Sequence, residues 1–155
     1  MKKLTLSMAL MLITVFSFSQ NIGKYLESQK HVLKSEKKEM VKDVLELTDA
    51  QYKVFWPIYD AYMAEIKPFN TILVNTITEY MDKYDTMTDE DAERLYNNFL
   101  VVDESWVKLK KKYFKKMNKV LPAKKAVRYF QLESRLRSMI LSDLTIDIPM
   151  VGDND

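Results

Sequence analysis

The chain has 155 residues, with 24 Lys and Arg against 22 Asp and Glu, 2 Gly, 4 Pro and no Cys. The lack of Cys excludes disulfides and thiolate metal sites, so the core alone must hold the fold. Scarce Gly and a Leu-, Lys-, Glu- and Met-rich composition argue against a sheet and for an all-α fold of one domain.

Lys2 and Lys3 precede an uncharged, mostly apolar run from Leu4 to Phe18, and Ser17 and Ser19 stand at −3 and −1 of a cut before Gln20. This is the pattern of a secretory signal. The run is shorter than the roughly 20 residues that span a bilayer, and an uncleaved anchor is the alternative. We expect residues 1–19 to be removed, residues 20–145 to form a helical domain, and residues 146–155 to form an extended, partly disordered acidic tail. After removal of the leader the chain is neutral but uneven. Residues 20–102 carry −5, residues 103–137 carry +9 and residues 138–155 carry −4. Such a layout suits charge pairing within or between chains, or a basic face offered to a partner.

A first helix is expected from about Ile22 to Glu46, with a thin apolar stripe of Leu26, Leu33, Met40, Val44 and Leu47. Lys30 to Glu39 is almost wholly polar, which places this helix at an edge. Thr48 then opens a second helix. Its hydroxyl can cap the first turn while Gln51 reaches back to the Thr48 N–H, a capping box. Phe55, Tyr59, Tyr62, Ile66, Phe69, Leu73, Ile77, Tyr80 and Tyr84 follow at spacings of three and four, a sustained helical seam. This seam exceeds what two antiparallel neighbours need, so Phe55, Tyr59, Tyr62, Ile66 and Phe69 are candidates for a dimer interface or groove. Pro57 and Pro68 each remove one backbone bond. They are eleven residues apart and share a face within about 20°, opposite the seam. The helix either bends through both or breaks at Pro57.

Thr88 caps a third helix, with Asp89, Glu90 and Asp91 in its first turn, where the helix dipole favours them. Leu95, Phe99, Val102, Trp106, Leu109, Tyr113, Met117 and Val120 form its seam. Lys108, Lys111, Lys112, Lys115 and Lys119 face away from it. Pro122 ends this helix or opens the next. A fourth is expected from about Ala123 to Leu144, with Ala126, Phe130, Leu136 and Ile140 inward. Glu133 and Arg137, in the favourable order four apart, are expected to form a partly buried pair. Ile148 to Val151 is an apolar extended piece before a free acidic end.

Leu47-Thr48-Asp49-Ala50-Gln51, taken with the exported leader and the order of helices, resembles the L-T-x-x-Q motif of the Spy/CpxP family of bacterial periplasmic proteins. The likeness spans about residues 25–141. That family carries a second copy of the motif at its last helix. Here that place reads Leu121-Pro122-Ala123-Lys124-Lys125, without the Thr or the Gln, so the chain resembles a divergent member. The resemblance implies four long helices in an antiparallel, curved, hairpin-like bundle, a cradle-shaped homodimer and a periplasmic location. It further implies either ATP-independent chaperoning of unfolded or envelope proteins, or restraint of an envelope-stress sensor domain. Leu47, Thr48 and Gln51 are the motif residues. A structural envelope protein without a client is a third possibility.

The chemistry-bearing residues point away from an enzyme. There is no Ser-His-Asp set, Cys nucleophile or Gly-rich phosphate loop. His31, the only histidine, reads as a solvated surface residue, short of the several ligands a first-row metal wants. The acids from Asp82 to Glu93 read as helix caps, since a calcium loop would want a sharp-turn Gly. No cofactor is expected. Export argues against nucleic acid for the Lys108–Lys125 run. Lys108, Lys112, Lys115, Lys119, Arg128 and Arg135 are either a solvated face or a working surface for acidic clients, anionic headgroups or a sensor domain. Some of the 10 Met suit an adaptable client surface, others gap-filling in the core.

Overall fold

The computed structural model of the chain describes residues 37–152. The leader, the cut at Gln20, His31 and the Leu26–Leu33 part of the first stripe lie outside the described residues, as do 153–155. The described residues form four helices and no strand. The first, α1, is helical over residues 37–45. It is followed by α2 (Asp49–Lys83), a 3-10 turn at Tyr84–Thr86, α3 (Asp89–Met117) and α4 (Ala123–Thr145). None of these helices is long and apolar enough to cross a membrane.

α2 is one helix of 35 residues with Pro57 and Pro68 inside it. Continuity is tolerable because both prolines are exposed, as are Lys53 and Ala64, whose carbonyls lose their partners. Water can satisfy those groups, whereas the same gaps on the inner face would leave buried carbonyls unpaired. The inner face carries Phe55, Tyr59, Tyr62, Ile66, Leu73, Thr76 and Ile77, all buried.

α2 and α3 form an antiparallel hairpin, with Tyr62 against Tyr113 near one end and Lys83 against Asp91 at the turn. α4 folds back along α3, placing Ser134 beside Lys110 and Arg137 beside Asp103. α1 lies at the open end of the hairpin. Val41 and Leu45 enter the core there, Lys38 reaches Asp60 of α2, and Lys37 reaches Glu133 of α4.

The core is aromatic. Tyr129 lies with its ring centroid 5.5 Å from Phe55, 6.0 Å from Tyr59 and 4.9 Å from Phe130, each pair edge to face. Such pairs add roughly 0.5–1.5 kcal/mol beyond burial, and the first two tie α2 to α4. This corrects one expectation. Phe55, Tyr59, Tyr62 and Ile66 are buried within the single chain, and only Phe69 of that candidate set is partly exposed. The seam is long because it must meet α3, α4 and α1 in turn.

Two other stripes are rotated from their expected positions. In α1 the buried residues are Val41 and Leu45, while Met40 is exposed and Val44 half-buried. In α4 they are Ala126, Tyr129 and Glu133, while Ile140 is exposed and Phe130 and Leu136 are half-buried. In both helices a polar side chain sits on the inner face, which moves the apolar stripe by about one residue, or 100°.

Candidate functional site

The motif residues form a joint rather than a pocket. Thr48 Oγ1 accepts from the Gln51 N–H at 3.4 Å, and the Thr48 N–H donates to Gln51 Oε1 at 3.2 Å, completing the capping box. Lys125, at the place where the second motif would carry its Gln, donates to the same Gln51 Oε1 at 3.1 Å and to the Glu46 carbonyl at 2.6 Å. Glu46 has φ 46°, the left-handed region, and its N–H donates to the Lys42 carbonyl at 3.1 Å, closing α1. That conformation costs a non-glycine residue about 1–2 kcal/mol. The Lys125 ammonium fixes the carbonyl that this turn exposes. Leu47 packs against the core and Leu121 is buried. The degenerate second motif therefore still meets the first one in space.

The candidate basic surface divides. On α3, Lys108, Lys112 and Lys115 fall within about 60° of one another at 100° per residue, Lys119 lies in the turn after the helix, and all four are exposed. Lys108, Lys115 and Lys119 form no ion pair among the described residues, nor do Arg128 and Arg135 on α4. Lys112 does not belong with them. Its ammonium bonds to Glu65 Oε1 at 2.7 Å and Oε2 at 2.5 Å, and the Tyr113 hydroxyl donates to Glu65 Oε1 at 2.6 Å. The Lys112 bond, and after it the Tyr113 bond, hold the Glu65 carboxyl below its ordinary range. Burial first, and then the bond to Glu65, push the Tyr113 phenol up to about 12. Lys112 is a tie between α3 and α2.

Away from the lysine face of α3, α3 and α4 leave a shallow open groove lined by Phe114, Val127, Phe130, Gln131, Ser134 and Arg135. Phe114 and Phe130 meet edge to face across its floor at 6.1 Å. Arg135 brings the basic surface to its edge. An apolar floor with a cationic rim suits apolar segments that carry acidic residues. The sequence contains Phe114 and Phe130 at seam-like spacing but does not show that helix pairing leaves them half-covered.

The expected Glu133–Arg137 pair does not form. Glu133 is 2% exposed, and Lys37 Nζ of α1 stands 2.7 Å from its Oε2. That approach falls outside hydrogen-bond geometry, so the contact is ionic. Arg137 instead donates to Asp103 at 2.7 Å and lies over the Trp106 ring at 4.5 Å. The i,i+4 spacing permits a pair on an isolated helix, but tertiary partners on both sides outcompete it. Burial first, and next the Glu133 carboxylate, raise the phenols of Tyr59, Tyr62 and Tyr129 above their ordinary value. These groups stay neutral and add no charge to the surface.

Searches against protein-family models, curated proteins and solved structures return no match to this chain.

Proposed function

We propose that the chain is an exported, periplasmic client-binding protein that holds unfolded or envelope proteins without ATP, in the manner that its likeness to the Spy/CpxP family implies. The observations that carry the reading are the exposed basic positions Lys108, Lys115, Lys119, Arg128 and Arg135, none of them in an ion pair among the described residues, and the Phe114–Phe130 groove that Arg135 borders. Charge on the rim speeds encounter with acidic clients, and a shallow apolar floor accepts many side chains without selecting one. No buried catalytic set takes part in this reading.

The test reverses Lys108, Lys115, Lys119, Arg128 and Arg135 to Glu, leaving Lys112 in place because its ion pair to Glu65 belongs to the fold. All five are exposed positions, and Glu is nearly as good a helix former as Lys. Helicity should persist while client binding is lost. Wild-type binding should weaken with added salt, since exposed charges are screened within about 8 Å at physiological ionic strength. Unchanged binding by the helical variant would contradict the reading. Docking on one folded sensor domain is the second reading, and the same cationic rim favours it if that domain presents an acidic face.

A further inference from the structure

α4 runs back toward the hairpin turn, so the chain that follows it arrives beside the end of α2. There residues 148–151 lie across a small apolar recess of Ile77, Tyr80, Phe99 and Thr145. Two of the contacts that hold this segment are made to its backbone. The Tyr80 hydroxyl donates to the Pro149 carbonyl at 2.9 Å, and the Tyr84 hydroxyl donates to the Met150 carbonyl at 3.0 Å. Tyr80 of α2 and Tyr84, the first residue of the 3-10 turn, are four residues apart, with ring centroids at 6.1 Å. They present two donors in a row to two successive carbonyls. The side chains of the segment commit less. Ile148 packs partly against the core, while Met150 and Val151 are 76% and 63% exposed.

A site that reads carbonyls and one apolar side chain accepts many sequences, as peptide-binding ledges do. A segment that buries little side-chain area also opens at low cost. We propose that the Tyr80–Tyr84 ledge is a peptide-binding site that the chain's own tail fills in cis. When the tail lifts, the ledge takes an extended apolar segment of an unfolded client. The occupant is defined by the tail itself: a stretch with a branched apolar residue followed by two successive carbonyls free to accept. The proposal rests on the client-binding reading for its ligand but uses a different surface, bordered by Phe99, about 24 Å along α3 from Lys115.

The probe is a fluorescent synthetic peptide of residues 146–152. The receptor is the full chain whose own tail carries Ile148→Asp and Met150→Asp. The peptide should bind this variant and bind the wild type at least tenfold more weakly, because the attached tail competes at high effective concentration. Adding Tyr80→Phe or Tyr84→Phe to the tail variant should weaken the peptide about fivefold each, the worth of one hydrogen bond. Equal binding to wild type and tail variant, or indifference to both Phe substitutions, would overturn the proposal. If the double Asp variant loses helicity, the wild type decides: excess peptide must move the Ile148 methyl resonances to the positions of a free tail, and unmoved resonances refute the ledge. Reversing the basic face should leave peptide binding unchanged. Peptide binding without suppression of client aggregation would support the ledge and sink the chaperone reading, and suppression without peptide binding would do the opposite.

Discussion

Lys125 of α4 donates to the side chain of Gln51 in α2 at 3.1 Å, so one ammonium joins the starts of two helices. Its second bond, to the Glu46 carbonyl, adds the end of α1 to the same joint. Lys125→Met keeps the stem and removes both bonds. It should cost about 1–2 kcal/mol. Gln51→Ala breaks the capping box and should cost about 1 kcal/mol. Because the two share an atom, the double variant should cost less than the sum of the singles. Urea midpoints of the four proteins measure this, and strict additivity would show that the joint is not coupled.

The Glu133 carboxylate leads to an asymmetry. Lys37→Met leaves a buried carboxylate without its ion-pair partner and should cost about 3 kcal/mol or more. Glu133→Gln removes the charge instead and strands only Lys37, whose side chain is 23% exposed and can turn to water, so it should cost clearly less. Asp103→Ala removes an exposed partner of Arg137 and should cost under about 1 kcal/mol. Chemical denaturation ranks the three variants. A smaller loss for Lys37→Met than for Glu133→Gln would contradict the burial argument.

These pairs show where sequence reasoning succeeds and where it stops. The seams of α2 and α3 are legible because every fourth or third residue is apolar over many turns, and Thr48, Thr88 and Pro122 mark their boundaries. α1 and α4 are short of apolar residues, so one inward polar side chain shifts the apparent stripe. Lys37 and Lys38 read as solvated, yet their stems lie along the core: Lys38 Nζ stands 5.2 Å from the Trp56 centroid and Lys37 Nζ 3.7 Å from Met63 Sδ. Lys112 cannot be separated from Lys108 by spacing, because what distinguishes it is Glu65 on another helix. The Tyr80–Tyr84 ledge is part of a seam in sequence, and only the path of the tail gives it a role.

Among the described residues neither the Tyr129 nor the Tyr62 hydroxyl has a hydrogen-bond partner, although both rings are fully buried. A buried unpaired hydroxyl costs about 1–3 kcal/mol of desolvation. Tyr129→Phe keeps the ring contacts and removes that cost, so the thermal midpoint should stay level or rise. A clear fall would mean that the hydroxyl has a partner in the folded chain.

Acid should loosen the hairpin turn. Asp91 receives bonds from Lys83 at 2.6 Å and Arg94 at 2.9 Å, and these, in that order, lower its carboxyl to about 2. Bonds from Arg94 also lower Glu79. A lowered carboxylate contributes its stabilisation fully above its unfolded value of about 3.9 and loses it as pH falls toward the folded one. Amide protection factors at the turn should therefore fall as pH goes from about 4 to about 2. Asp91→Asn should be less stable than wild type at neutral pH, and the gap should close as pH falls through that window. A gap that stays constant would show that the cluster contributes nothing in solution.

The central claim is that the exposed basic surface and the shallow apolar groove bordered by Arg135 bind unfolded chains. Its most direct test is aggregation of several unrelated unfolded proteins, followed by light scattering with the leaderless protein added at near-equal molar ratio and no nucleotide. The account predicts suppression for more than one client, strongest for acidic ones and weakened by salt. No suppression of any client at a severalfold molar excess would contradict it.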